Sequence, residues 1–372
     1  MSTPKPFRLH IPEDAIADLR MRLERARWPD EAPGEPWSTG TSVAYLKELV
    51  EYWRKGFDWR AWEARLNAFP QFTVPLAGID LHYLHLRSAR KEAMPLLLSH
   101  GWPGSVFEFH KLLPMLADEF SIVAPSLPGY ALSFRPGQKR FSAEGMADTL
   151  AALMMQLGYE RFGAQGGDWG GTISSVLGHR HAERIIGIHL NFLAVRRDIP
   201  AGAIASAEEQ DYYRDLAAFL KEETGYQWIQ GTRPQTLAFG LSDSPVGLAA
   251  WIVEKFRAWT DCGGDPESAV SRDEMLANIS LYWFTGAIGS SFWPYYARMH
   301  GPWPIPEGGA VKVPTGYVQF PKEIIRPPRS IAARTYTDIR RWTVEKKGGH
   351  FAALEQPEVL AREVKAFFST LR

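Results

Sequence analysis

The chain has 372 residues, 45% of them hydrophobic, which exceeds what one core usually organises and predicts one large catalytic domain with additions or two smaller domains. Lys plus Arg and Asp plus Glu each number 42, so no net field draws the chain toward nucleic acid or an anionic membrane, and a small neutral partner is expected instead. Cys262 is the single cysteine, which excludes an intramolecular disulfide; with a polar N-terminus and no apolar run long enough for a signal peptide or a membrane span, it predicts a soluble cytoplasmic protein.

Residues 12–27 place Ile16, Leu19 and Leu23 at three-and-four spacing after Pro12, the pattern of an amphipathic helix. A meander through Pro29, Pro33 and Pro36 follows, then helices over 43–53 and 59–67, so residues 1–70 are expected to be helical with no strand. Strand patterns begin with 72–75, 79–86 and 94–98. A helix over 105–116, a strand over 120–124, a helix over 143–157 and strands over 162–165 and 185–190 continue the series. Such alternation predicts an α/β fold with a doubly wound, mainly parallel sheet, whose ligands bind beyond the carboxyl ends of the strands. The strand pattern then stops for more than a hundred residues in favour of aromatic-rich helical segments such as 210–221, 249–259 and 273–284. It resumes over 314–320 and 338–344, ahead of a terminal helix over 357–371. The expected organisation is an α/β core over 71–192 and 313–372, interrupted by a helical lid over 193–312.

Gly166-Gly167-Asp168-Trp169-Gly170-Gly171 lies between a strand and a helix and has the small-x-nucleophile-x-small form of a nucleophile elbow. An esterase has Ser at the centre. A carboxylate there is already ionised near neutral pH and suits in-line displacement at saturated carbon, which points to epoxides or alkyl halides. A plain Gly-Asp helix cap is the bland alternative. His100-Gly101-Trp102-Pro103-Gly104 also opens a helix after a strand, so the backbone N–H groups of Trp102 and Trp169 are the expected oxyanion donors. Gly348-Gly349-His350-Phe351 follows the last strand, where this fold carries its base; imidazole can take a proton from water there and return it. Glu323, at the end of the strand after the lid, is the expected acid partner of His350, with Asp338 as the alternative.

Together these segments resemble the microsomal-type epoxide hydrolases, including juvenile-hormone epoxide hydrolases, over nearly the whole chain from Arg27-Trp28-Pro29 to Gly348–Pro357. The resemblance implies an α/β-hydrolase fold and an enzyme that opens an epoxide through an ester on Asp168, hydrolysed by water that His350 activates. It implies two lid tyrosines that hold and protonate the epoxide oxygen, placed at Tyr226 and at Tyr295, with Tyr296 adjoining the second. Trp102, Phe107, Trp169, Trp228 and Phe351 are the expected pocket lining, with no cofactor or metal. The partners are a small apolar epoxide and water, and relatives suggest a homodimer; a membrane anchor of the microsomal kind is not expected ahead of residue 12. The competing readings are a haloalkane dehalogenase with the same Asp, His and acid, and a catalytically silent hydrolase-fold receptor.

Overall fold

The computed structural model describes residues 3–196 and 206–371. The first part of the expected lid, residues 197–205, therefore lies outside the described residues. Nine strands form one sheet among the described residues: β1 (Lys5–Pro6), β2 (Gln71–Leu76), β3 (Ile79–Leu86), β4 (Met94–Ser99), β5 (Phe120–Pro125), β6 (Phe162–Gly166), β7 (Ile185–Leu190), β8 (Thr315–Gln319) and β9 (Ile339–Val344). Their order is β1-β2-β3-β5-β4-β6-β7-β8-β9. The pairs β1/β2, β2/β3 and β3/β5 are antiparallel; every pair from β5 to β9 is parallel. Central strands such as β4 are covered on both faces and so read as unbroken apolar runs, with Leu96, Leu97 and Leu98 fully buried.

The chain steps from β4 to β5 on one side and returns to β6 on the other, so the loops after β4 and β6 leave the sheet as neighbours. This is the switch point where open α/β sheets bind ligands. The loop after β4 carries residues 100–104 and the loop after β6 carries Asp168.

Two expectations are corrected. β1 was unexpected: two residues are too short for a periodic signal, and Lys5–Pro6 is extended only because it pairs with Phe72 and Thr73. The single helix expected over 105–116 is broken into a 3-10 turn, Val106–Phe109, and a short α-helix, Leu112–Leu116. Pro114 accounts for the break, since it is tolerated in the first turn of the new helix and would clash within a continuous one.

The N-terminal helices Glu13–Glu24, Val43–Lys55 and Trp59–Asn67 lie on the helices inserted between β7 and β8. Thr41 Oγ1 donates to the Ala250 carbonyl at 2.8 Å, Tyr45 Oη to Glu267 at 3.1 Å and Tyr52 Oη to Asp273 at 2.7 Å. The Trp53 indole N–H donates to Ser280 Oγ at 2.9 Å, with both groups buried. Trp59 packs edge-on against Phe284, with ring centres 5.0 Å apart. The inserted helix Arg272–Thr285 passes this hold to the loop after β4: Asn278 Nδ2 donates to the Pro103 carbonyl at 2.8 Å and Tyr282 Oη to that of Gly104 at 2.7 Å.

Candidate active site

Asp168 begins the helix Asp168–Arg180 with φ +47°, a conformation that non-glycine residues adopt rarely and at local cost. The turn is sharp enough that a side chain at Gly170 would put its Cβ 1.9 Å from the Ser99 carbonyl oxygen. Gly101 is needed for the same reason, because a Cβ there would lie 2.3 Å from Asp168 Oδ1. The backbone N–H of Trp102 donates to Asp168 Oδ1 at 2.7 Å. His100 is a structural member of this loop: its Nδ1 bonds the Gly101 carbonyl and its Nε2 accepts from Leu127 N–H at 3.1 Å. Burial pushes its pKa down to about 4, so it is neutral with the proton on Nδ1.

His350 lies across from Asp168. Its Nε2 is 3.4 Å from Asp168 Oδ2, and its Nδ1 is 2.6 Å from Glu323 Oε1. The His350 N–H donates to the Trp259 carbonyl at 2.8 Å, tying the loop after β9 to an inserted helix. Glu323 is 2% exposed; Oε1 also accepts from the Ile324 N–H at 2.7 Å. Burial alone would depress the His350 pKa, but the Glu323 charge together with Asp168 outweighs it and raises the pKa well above the ordinary histidine value. The alternative acid, Asp338, lies elsewhere, bonded to Arg340 at 2.8 Å.

Tyr226, on the helix Gly225–Thr232, and Tyr295, on the helix Trp293–His300, face one another with ring centres 5.7 Å apart. The Trp102 ring stacks on Tyr226 at 5.2 Å, and the Trp169 ring meets Tyr295 edge-on at 4.9 Å. One cavity brings together Asp168, Trp169, Tyr226 and Tyr295 with the apolar run Phe192–Val195, Trp303 and Ile324. On the other side of Asp168, a second cavity reaches Trp102, Glu108, His350 and Phe351. Burial pushes the Glu108 carboxyl up to about 8.

Four expected positions differ, the first being Trp102, which reaches only the second cavity because its ring lies stacked on Tyr226. Trp228 is 62% exposed, because it lies on the outer face of the helix whose inner face carries Tyr226. Phe107 packs between Trp59 and Trp62 rather than against the larger cavity, since the 3-10 turn directs it toward the N-terminal helices. Phe351 stacks on Phe256 at 4.3 Å and reaches only the second cavity. Tyr296 points away, stacked between Trp293 and His300. Sequence reasoning missed residues 192–195, Gln227 and Arg298. An apolar run directly after β7, where a loop should be polar, was the available signal for the first of these.

A carboxylate at the elbow of this sheet, facing a histidine and acid from the loops after β9 and β8, defines an α/β hydrolase of the aspartate-bearing kind. A family model described as "Epoxide hydrolase N terminus" matches residues 4–109, and one described as "alpha/beta hydrolase fold" matches residues 94–194. Epoxide hydrolase 1 of Sus scrofa is 34% identical over 99% of this chain and 89% of its own length; a Stigmatella aurantiaca protein is 44% identical over 99% and 85%. The crystal structure of juvenile hormone epoxide hydrolase from Bombyx mori superposes with a TM-score of 0.91 at 31% identity, covering 100% of this chain and 95% of that one. The Aspergillus niger epoxide hydrolase structure gives 0.89 at 32%, covering 100% and 97%. The chain belongs to the epoxide hydrolase family.

Proposed function

We propose that this protein hydrolyses a small, largely apolar epoxide to a vicinal diol in two steps, through a hydroxyalkyl ester on Asp168. The observation that carries the reading is the cavity that Asp168 shares with two phenols, while His350 lies against Asp168 Oδ2. Tyr226 and Tyr295 hold the epoxide oxygen, and Asp168 attacks a ring carbon from the opposite face. The C–O bond breaks, and its electron pair takes a proton from a phenol. A neutral phenol suits this task because the incipient alkoxide is far more basic. Burial raises the Tyr295 pKa well above the ordinary phenol value, so it enters the reaction protonated.

In the resting protein His350 sits between Glu323 and the charged Asp168, which favours the imidazolium. Esterification removes the Asp168 charge. The imidazole can then release its proton and take one from water, so the base is switched on only when there is an ester to hydrolyse. Water adds to the ester carbonyl, whose oxyanion receives the Trp102 N–H and the free N–H of Trp169 in the first helical turn. Glu323 keeps the imidazole oriented throughout.

The test is a single turnover of styrene oxide in oxygen-18 water, followed by mass spectrometry of the peptide that contains Asp168. Diol with label in the Asp168 carboxylate is expected. Diol with an unlabelled carboxylate would mean direct attack by water and would defeat the ester mechanism.

A further inference from the structure

The two phenols do not have equivalent surroundings. Tyr226 Oη accepts a hydrogen bond from Gln227 Nε2 at 2.9 Å. Gln227 is itself buried, 4% exposed, and its Oε1 accepts from Arg298 Nη2 at 3.1 Å. The guanidinium fixes the amide, since only the amide oxygen can accept from it, which leaves the nitrogen to donate to the phenol. Arg298 lies one helical turn after Tyr295 and lines the same cavity. Among the described residues it has no carboxylate within salt-bridge distance, its only hydrogen bond is the one to Gln227, and its buried Nε has no partner. Lys255 Nζ, ion-paired with Glu254, sits 4.7 Å from the centre of the Tyr226 ring.

Tyr295 has no comparable support. Among the described residues its buried hydroxyl meets no charge-linked amide, and the Trp169 indole N–H approaches it as a weak donor. Through space the Arg298 charge acts on Tyr295 more strongly than on Tyr226, but among the described residues only Tyr226 is joined to it by hydrogen bonds.

Building on the epoxide hydrolase reading, we infer that Tyr226 is the phenol that gives up its proton, with Gln227 and Arg298 as a relay that positions it, and that Tyr295 only holds the epoxide oxygen. The Gln227 N–H occupies a lone pair of the phenol oxygen, which directs the Tyr226 O–H away from the amide and into the cavity. When the C–O bond of the epoxide breaks, its electron pair forms the alkoxide, and the Tyr226 proton passes to that oxygen. Negative charge then rests on the Tyr226 oxygen, where the Gln227 N–H, polarised by Arg298, stabilises it in a site of low dielectric. Solvent returns the proton before the next turnover. Gln227 and Arg298 touch no reacting atom and act through Tyr226.

The experiment is single-turnover alkylation by styrene oxide, read by tryptophan fluorescence and by the mass of the adduct, with ester hydrolysis followed as a separate phase. Tyr226→Phe is expected to slow alkylation about a hundredfold or more, as for loss of a general acid. Tyr295→Phe, which removes one neutral hydrogen bond, is expected to slow it about tenfold. Arg298→Met and Gln227→Leu should each slow alkylation about tenfold without changing the hydrolysis rate, and Arg298→Lys should recover part of the loss. Neither change should slow alkylation further in a Tyr226→Phe background, whereas both should still do so in a Tyr295→Phe background. Equal losses from the two tyrosine variants, a full Arg298→Met effect on top of Tyr226→Phe, or unchanged alkylation in Arg298→Met would each overturn the inference. Wild-type protein that forms no adduct would instead overturn the epoxide hydrolase reading, and this inference with it.

Discussion

His350 stands between Asp168 and Glu323, and its raised pKa depends on both of them. Replacing Asp168 with Asn removes one charge and should lower the imidazole pKa, which histidine NMR titration would register; an unchanged value would uncouple His350 from the Asp168 carboxylate. His350→Gln should leave alkylation intact and block release, so the substrate adduct should accumulate to one per chain by mass spectrometry. Glu108 gives a prediction with a different sign. Its folded pKa is raised from the ordinary 4.5 to about 8, so the stability it contributes is present below 4.5 and lost as pH rises through 8. Glu108→Gln should therefore remove a few kcal/mol of stability loss over that interval, seen as a flatter Tm against pH. The prediction fails if the two profiles run parallel. At this scale the placement of side chains was legible where a motif constrains the backbone, as around Asp168 and His350. It was not legible for Gln227, Arg298 or Glu108, because nothing in the local sequence records which helix face will turn inward. Trp228 shows the same limit, since an aromatic two residues from Tyr226 falls on the outer face.

The helix Arg272–Thr285 connects regions that are distant in the chain. One side receives the N-terminal helices through Tyr52 and Trp53; the other grips the carbonyls of Pro103 and Gly104, next to the N–H that bonds Asp168. Tyr282→Phe deletes one buried bond to that loop. It should cost about 1 kcal/mol of stability, yet lower the alkylation rate by more than that loss explains, because Trp102 would be held less firmly. Equal activity at saturating substrate would sink this account. The strands were legible as elements because parallel strands covered on both faces are continuous apolar runs. The 3-10 turn and β1 were not, since a single proline decides the first and a partner strand from residue 71 onward decides the second.

At the scale of the molecule, the site draws on the loops after β4, β6, β8 and β9 and on the inserted helices, so its geometry exists only once all of them have met. Heating should accordingly give one cooperative transition in which tryptophan fluorescence and backbone dichroism coincide; separate transitions would show that the inserted helices melt independently of the core. The hold of the first sixty residues on the inserted helices also has a meaning in time. Trp53 and Ser280 are 227 residues apart in sequence. At synthesis rates of about 5–20 residues per second, the N-terminal segment waits roughly 10–45 s on the ribosome for the surface it is built to cover. Its apolar face, with Leu46, Leu49, Val50 and Trp53, lacks the cover that the inserted helices supply in that interval, so a nascent chain halted before residue 280 should engage chaperones through its earliest helices and let go of them once the inserted helices emerge.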